Sequence, residues 1–222
     1  MTPAATATPP ARLRSNNRRQ WLPTIGWGVM AFLSIAIAAI SARYFTFNPA
    51  VAAETLRSRM VNHDPWLFLH VGGGVIALAV GSFQFSRLLR TRFLNLHRWM
   101  GRVYLAAVAV GGVASFRMAL ESFGGMPTHF GFGILAVLWL FTSAMAYVRI
   151  RQRNIQSHRE WMIRSFALTF AAVMLRIWLP LFVGVWKIDF VQAFDTISWL
   201  CWVPNLLIAE ILVNRCRLRL AI

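Results

Sequence analysis

The sequence predicts an all-α, polytopic membrane protein with six transmembrane helices. The central four, helices 2–5, are expected to form a bundle built from two repeated hairpins. Three observations lead there. Apolar residues make up 58% of the chain and charged residues only 14%, too apolar for an ordinary soluble domain. Six apolar runs are each about as long as the ~20 residues needed to cross a ~30 Å hydrocarbon layer. Basic residues collect in every second connection, as the positive-inside rule requires of an even number of crossings.

Residues 1–22 are rich in Ala, Thr, Pro and Arg and predict a disordered cytoplasmic tail. The first apolar run is long and no clear small-x-small site follows it, which makes a cleaved signal peptide the less favoured reading. Residues 23–222 are expected to form the six-helix domain, with apolar runs over 24–42, 66–86, 99–120, 129–148, 161–186 and 196–213. The runs lack period-two alternation, so they read as helices, which satisfy their own backbone polar groups in lipid.

The net charge is +16. On a soluble domain this would suggest nucleic acid, but here the distribution excludes that partner. Arg12, Arg14, Arg18 and Arg19 precede the first run, and Arg87, Arg90, Arg92 and Arg98 separate the second from the third. Arg149, Arg151, Arg153 and Arg159 lie between the fourth and fifth, and Arg215, Arg217 and Arg219 follow the sixth. The opposite connections hold only Arg43, Arg57, Arg59 and Lys187, together with five of the seven acids, Glu54, Asp64, Glu121, Asp189 and Asp195. Both termini are therefore expected in the cytoplasm. Cys201 falls in the last run and Cys216 in the basic tail, an unpromising pair for a disulfide.

The chain repeats itself. "LHRWMGR" (Leu96 to Arg102) returns as "SHREWMIR" (Ser157 to Arg164), and "HVGGG" (His70 to Gly74) returns as "HFGFG" (His129 to Gly133). Segments 66–120 and 129–186 are thus expected to be copies related by an axis along the membrane normal. One defect stands out. His97 and His158 are offset by 61 residues, but Glu160 is inserted, so Trp99 and Trp161 are offset by 62. On a continuous helix that is a 100° rotation, tolerable only where the histidines sit at or before the helix start.

The symmetry pairs His70 with His129 near one face and His97 with His158 near the other, roughly 20 Å apart along the normal. Each pair could grip one metal on the axis, and imidazole is a common axial ligand of haem iron. Small residues follow two of the histidines: Gly74, Ala77 and Gly81 after His70, and Gly133 and Ala136 after His129. They are expected to leave room for a flat macrocycle, or alternatively to act as notches for close helix packing. Arg102, Arg117, Arg164 and Arg176 lie within the third and fifth runs. Buried arginines need an anion, and haem propionates are one class. The bland reading of His97 and His158 is an interfacial cation beside an aromatic belt. Glu210, in the sixth run after Pro204, reads either as a proton carrier or as the partner of Arg102 or Arg164; the cost of unpaired membrane arginines favours pairing. Pro204 is expected to kink its helix.

Six helices with histidines paired two-with-four and three-with-five resemble the dihaem transmembrane b-type cytochromes that include ferric reductases. The resemblance spans roughly residues 66–187. It implies two b-type haems at His70/His129 and His97/His158, and a membrane oxidoreductase component working with a redox partner or quinone. The ascorbate-site lysines and arginines of those enzymes have no recognisable counterpart. "LHRWMGRVY", "HREWMIRSFAL" and "WVPNLLIAE" resemble a bacterial family of predicted membrane proteins, domain of unknown function 2306, over most of the chain after Trp66. That resemblance implies the bacterial cytoplasmic (inner) membrane and no particular activity. Two other classes stay open: an anion or lipid binding or transport protein with an Arg/His-lined cavity, and a non-catalytic assembly protein.

Overall fold

The computed structural model describes residues 18–51 and 54–218. Among them there is no strand. Six helices are long and apolar enough to cross a membrane: Ile25–Thr46, Pro65–Phe83, Leu94–Ala119, Met126–Arg151, Ile155–Val185 and Phe190–Arg215. The tail expected over 1–22 lies mostly outside the described residues, and helix α1 (Arg18–Ala42) begins within it.

Spans two to six begin earlier than their apolar runs. The third starts at Leu94 rather than 99, and the fifth at Ile155 rather than 161. Hydropathy sees only the stretch that suits hydrocarbon, whereas the helix continues until its free N–H groups meet a cap. Asp64 caps α3 (Pro65–Phe83) through the Trp66 amide at 3.0 Å, with Pro65 at the first position. Asn154 caps α7 (Ile155–Thr169) through the Ser157 amide at 3.0 Å. Asp189 caps α9 (Phe190–Leu200) through the Val191 amide at 2.9 Å. Two short helices, α2 (Glu54–Val61) and α4 (Arg87–Arg92), occupy connections expected to be loops.

The fifth span is jointed: α7 gives way at Phe170 to α8 (Ala171–Pro180), and a π-helical turn, Leu181–Val185, follows Pro180. The sixth breaks at Cys201 and Trp202 between α9 and α10 (Val203–Leu218), just before Pro204. The expected kink is thus a break, because a proline ring removes one helical donor and crowds the turn before it.

Contacts run from span two to three, three to four, four to five and five back to two, closing a ring through α3, α5 (Leu94–Ala119), α6 (Met126–Arg151) and α7. Span one lies against span two and α8, and span six against spans four and five. Long apolar side chains such as Phe32, Trp99 and Val113 point outward, as a lipid-facing surface requires.

The ring is filled at mid-depth by a polar knot wrapped in aromatics. Tyr104, fully buried, shares its hydroxyl with Ser165 Oγ at 2.7 Å and Thr169 Oγ1 at 2.8 Å. Trp139 Nε1 donates to Thr169 Oγ1 at 2.8 Å, and Ser143 meets Ser165 at 2.7 Å. Every hydroxyl here has a partner, as burial in a low-dielectric layer demands.

Candidate functional site

The four histidines lie at the two ends of this packed layer. His97 is the fourth residue of α5 and His158 the fourth of α7. Both therefore sit inside the first helical turn, not at or before it, and the inserted Glu160 takes effect just beyond them. The two tryptophans consequently diverge: Trp99 is 64% exposed, while Trp161 stacks edge-on against Phe141 and lies under the Arg164 guanidinium. The repeat holds for its histidines and fails for its tryptophans.

His97 lies within electrostatic reach of His158, and also of Arg90 and Arg98. His158 Nδ1 is 2.8 Å from the Ala146 carbonyl, and His97 Nδ1 is buried without a hydrogen-bond partner among the described residues. Three other groups sit at this end. Gln84 places its Oε1 3.7 Å from the Cβ position of Gly101, one turn beyond His97. Among the described residues, neither Gln84 Nε2 nor the buried Nε of Arg149 has a hydrogen-bond partner. Burial, together with the neighbouring Arg159 and Arg87 guanidinium groups, lowers the Arg90 pKa, a sign of cation crowding.

At the opposite end, His70 Nδ1 is buried with no hydrogen-bond partner of good geometry among the described residues; the ring interacts with the Gly111 backbone and lies within electrostatic reach of Arg176. His129 is partly exposed, with Nδ1 2.9 Å from the Gly125 carbonyl of its own first turn. Among the described residues no hydrogen bond or ring contact joins His70 to His129. The same asymmetry thus occurs at both ends. The first-repeat histidine has a buried orphan Nδ1, and the second-repeat histidine has Nδ1 held by a backbone carbonyl.

The glycines divide between the two roles open to them. A Cβ on Gly73 would stand 2.7 Å from both the Ala107 carbonyl oxygen and Gly111 Cα, so Gly73 is a packing notch. A Cβ on Gly74 or Gly133 would meet nothing within 4 Å. Gly81 was expected to leave space as well, but Tyr104 and Phe166 fill it, at 2.7 and 2.8 Å from its Cβ position. Ala77 and Ala136 are fully buried. Of these small residues, only Gly74 and Gly133, in the turn after His70 and His129, border open space among the described residues.

The expected arginines also divide. Arg164 forms a two-pronged pair with Glu210, Nε to Oε1 at 2.6 Å and Nη2 to Oε2 at 2.8 Å. Arg117 pairs with Glu121 at 2.5 Å, and Arg102 is exposed. Arg117 and Arg164 are hence engaged with protein carboxylates rather than waiting for a cofactor's. Arg176 donates to its own-helix Ala172 carbonyl at 3.0 Å, and no carboxylate among the described residues pairs with it.

Several organising residues went unrecognised in the sequence. Glu160, the inserted residue, is buried and paired with Arg217, which raises the Arg217 pKa. Asp195 accepts from Thr128 Oγ1 and the Gly125 amide, and Trp199 Nε1 donates to the Pro127 carbonyl at 3.0 Å. Span six is thereby strapped to span four at one end and to span five at the other. The scarcity of acids, seven in the chain, was the available signal: Glu121, Glu160 and Glu210 pair with cations, and Asp64 and Asp189 cap helices.

A family model described as "Predicted membrane protein (DUF2306)" matches residues 67–213. The chain belongs to this family. The DUF2306 match begins just ahead of His70 and ends past Glu210, so it takes in all four histidines and both ends of the ring. Neither a curated protein nor a solved structure matches the chain. Among the described residues of this DUF2306 chain, no three His, Cys, Asp or Glu side chains gather as a metal site; axial ligation by paired imidazoles uses two.

Proposed function

We propose that this chain is a transmembrane electron carrier of the bacterial cytoplasmic membrane. Two b-type haems would be held by His70 with His129 and by His97 with His158. The supporting observation is the state of the ring nitrogens. Ligating histidines usually present one nitrogen to the metal and tie the other to a carbonyl or carboxylate, which fixes tautomer and orientation. His129 and His158 are tied in that way, to Gly125 and Ala146, leaving Nε2 free. Among the described residues, the Nδ1 atoms of His70 and His97 are buried without a hydrogen-bond partner of good geometry, although the His70 ring also interacts with the Gly111 backbone; a ligand would remove that expense. The open space at Gly74 and Gly133 favours a flat group beside the His70 tier.

Bis-imidazole haem supplies reversible one-electron chemistry at a potential set by its surroundings. The chain would contribute the rest. The Gly125 and Ala146 carbonyls aim the rings. The knot of Tyr104, Trp139, Ser143, Ser165 and Thr169 keeps water out of the layer between the tiers. The basic connections hold the His97 end in the cytoplasm, so electrons would pass between that side and the opposite one, from a donor to an acceptor such as a soluble redox partner or a quinone.

The test is spectroscopic. Protein purified from haem-replete cells should show a Soret band and a reduction-sensitive α-band at about two haems per chain. His70→Leu and His97→Leu should each remove about half of that absorbance. Protein without stoichiometric chromophore, or two variants that both keep the full complement, would refute the reading.

A further inference from the structure

Arg176 is a partly buried cation inside a membrane span, a placement costly enough to mark a functional site by default. Its guanidinium lines a cavity of about 350 Å³ between the end of span one and α8, within the ~300–1,000 Å³ of small-ligand sites. The cavity has a polar rim and an apolar wall. Ser41, Arg43 and Tyr44 supply hydroxyls and a second guanidinium, and Ile37 and Ile40 form the side toward the lipid, with Ile40 53% exposed. Tyr44 is the group acting electrostatically on Arg176. Among the described residues, no acidic one lines this cavity.

A second, larger cavity at the same end makes a useful contrast. It holds about 650 Å³ and is lined by Arg59, Asp64 and Glu121 among others. There the cation is already neutralised: Arg59 reaches Asp64 at 2.6 Å and Glu121 at 3.0 Å. The Arg176 cavity instead offers two guanidinium groups and two hydroxyls with no internal anion among the described residues. That donor set matches phosphate, which guanidinium groups grip through paired, charge-assisted hydrogen bonds. The aliphatic wall running out along Ile37 and Ile40 suits a phosphate that carries an acyl-glycerol tail, since basic pockets between spans bind anionic headgroups.

We infer that Arg176, Arg43, Ser41 and Tyr44 form a phosphate-binding site at the His70 end of the membrane, its ligand the phosphate of an anionic phospholipid headgroup or free phosphate. The site is independent of the haem reading. It uses the face of α8 toward span one, and none of the four histidines lines it.

The experiment measures thermal stability of the purified full chain in a non-ionic detergent. Three additives are titrated separately: phosphatidylglycerol in mixed micelles, phosphatidylcholine in mixed micelles, and inorganic phosphate. Preferential binding to the folded state raises the melting temperature with the logarithm of ligand concentration once that exceeds Kd. The expected result is a concentration-dependent rise with phosphatidylglycerol and a weaker one with phosphatidylcholine. A rise with inorganic phosphate alone would assign the site to the free anion. Arg176→Met should weaken the apparent affinity about tenfold, the worth of one charge-assisted pair, and Arg176→Lys should recover part of it. If Arg176→Met does not fold, Tyr44→Phe with Ser41→Ala serves in its place, with a smaller loss expected. Equal shifts in wild type and variants, or no shift with any additive, overturn the inference. Loss of haem absorbance from Arg176→Met at unchanged phosphate response also overturns it, by assigning Arg176 to the His70 tier. Absence of haem from the wild type leaves the phosphate titration fully interpretable.

Discussion

Gly73 and Gly111 bring the backbones of spans two and three into direct contact. A Cβ on Gly73 would lie 2.7 Å from Gly111 Cα, where no flexible side-chain end can yield. Gly73→Ala should therefore push the two helices apart and cost ~1–3 kcal/mol, the range for overpacking. Gly74→Ala, one residue on, enters open space and should leave thermal stability near wild type. Paired melting curves in detergent check this. Equal losses in the two variants would mean that the Gly73–Gly111 contact is not the cause, because at helical positions Gly→Ala by itself favours the helix.

Arg164 and Glu210 form the second relationship with a clear consequence. The Arg164 side chain is 11% exposed and that of Glu210 40%. Removing one partner strands a partly buried charge, at a cost of roughly 2–3 kcal/mol after allowance for the exposure of Glu210. Glu210→Ala should thus destabilise strongly, whereas Arg164→Met combined with Glu210→Leu should recover much of the loss. A double-mutant cycle measures the coupling. If the double variant is as unstable as the sum of the singles, the two residues act separately and Glu210 regains its alternative role as a proton carrier.

The six spans were legible because the bilayer imposes a length, and composition alone reveals where that length is met. The Glu210 partnership was legible because a membrane arginine requires an anion and few acids exist to supply one. The helix starts were not, since residues such as Asn95 and Gln156 are helical but too polar to register as apolar run. Glu160 shows why the site was only half legible. In the sequence it is an interruption of a repeat; in the fold it meets Arg217, 57 positions away. That contact depends on the rotation of α7 against α10, which no local pattern encodes. Gly81 misled for the same reason: the space left by its missing side chain is taken by Tyr104 and Phe166 from two other spans.

Glu121 gives the connection after span three a pH dependence. The Arg117 guanidinium beside it, and then that of Arg59, holds its carboxyl below the usual carboxylate range. A depressed folded-state pKa stabilises while the group stays ionised, so the contribution is present at neutral pH. It fades as pH falls from the ordinary glutamate range through the depressed value. The stability gap between wild type and Glu121→Gln should accordingly be widest at neutral pH and narrow as pH is taken below the ordinary carboxylate range. Melting curves of the pair across that interval isolate this residue from the other acids. A gap unchanged with pH would assign the loss in Glu121→Gln to packing.

Orientation is the last quantity that the charge pattern commits to. Arg149, Arg151 and Arg153 surround the turn between spans four and five, whereas Glu121 begins the turn between spans three and four. Translocating the first turn would carry three guanidinium groups across the membrane, against the bias that sets topology. In a Cys216→Ser background, where the remaining Cys201 is buried, a membrane-impermeant thiol reagent should label Ser122→Cys from outside the cytoplasmic membrane. It should reach Gln152→Cys only after that membrane is opened. The opposite pattern would put His97 and His158 outside and His70 and His129 within, reversing the face at which the proposed carrier takes up its electrons.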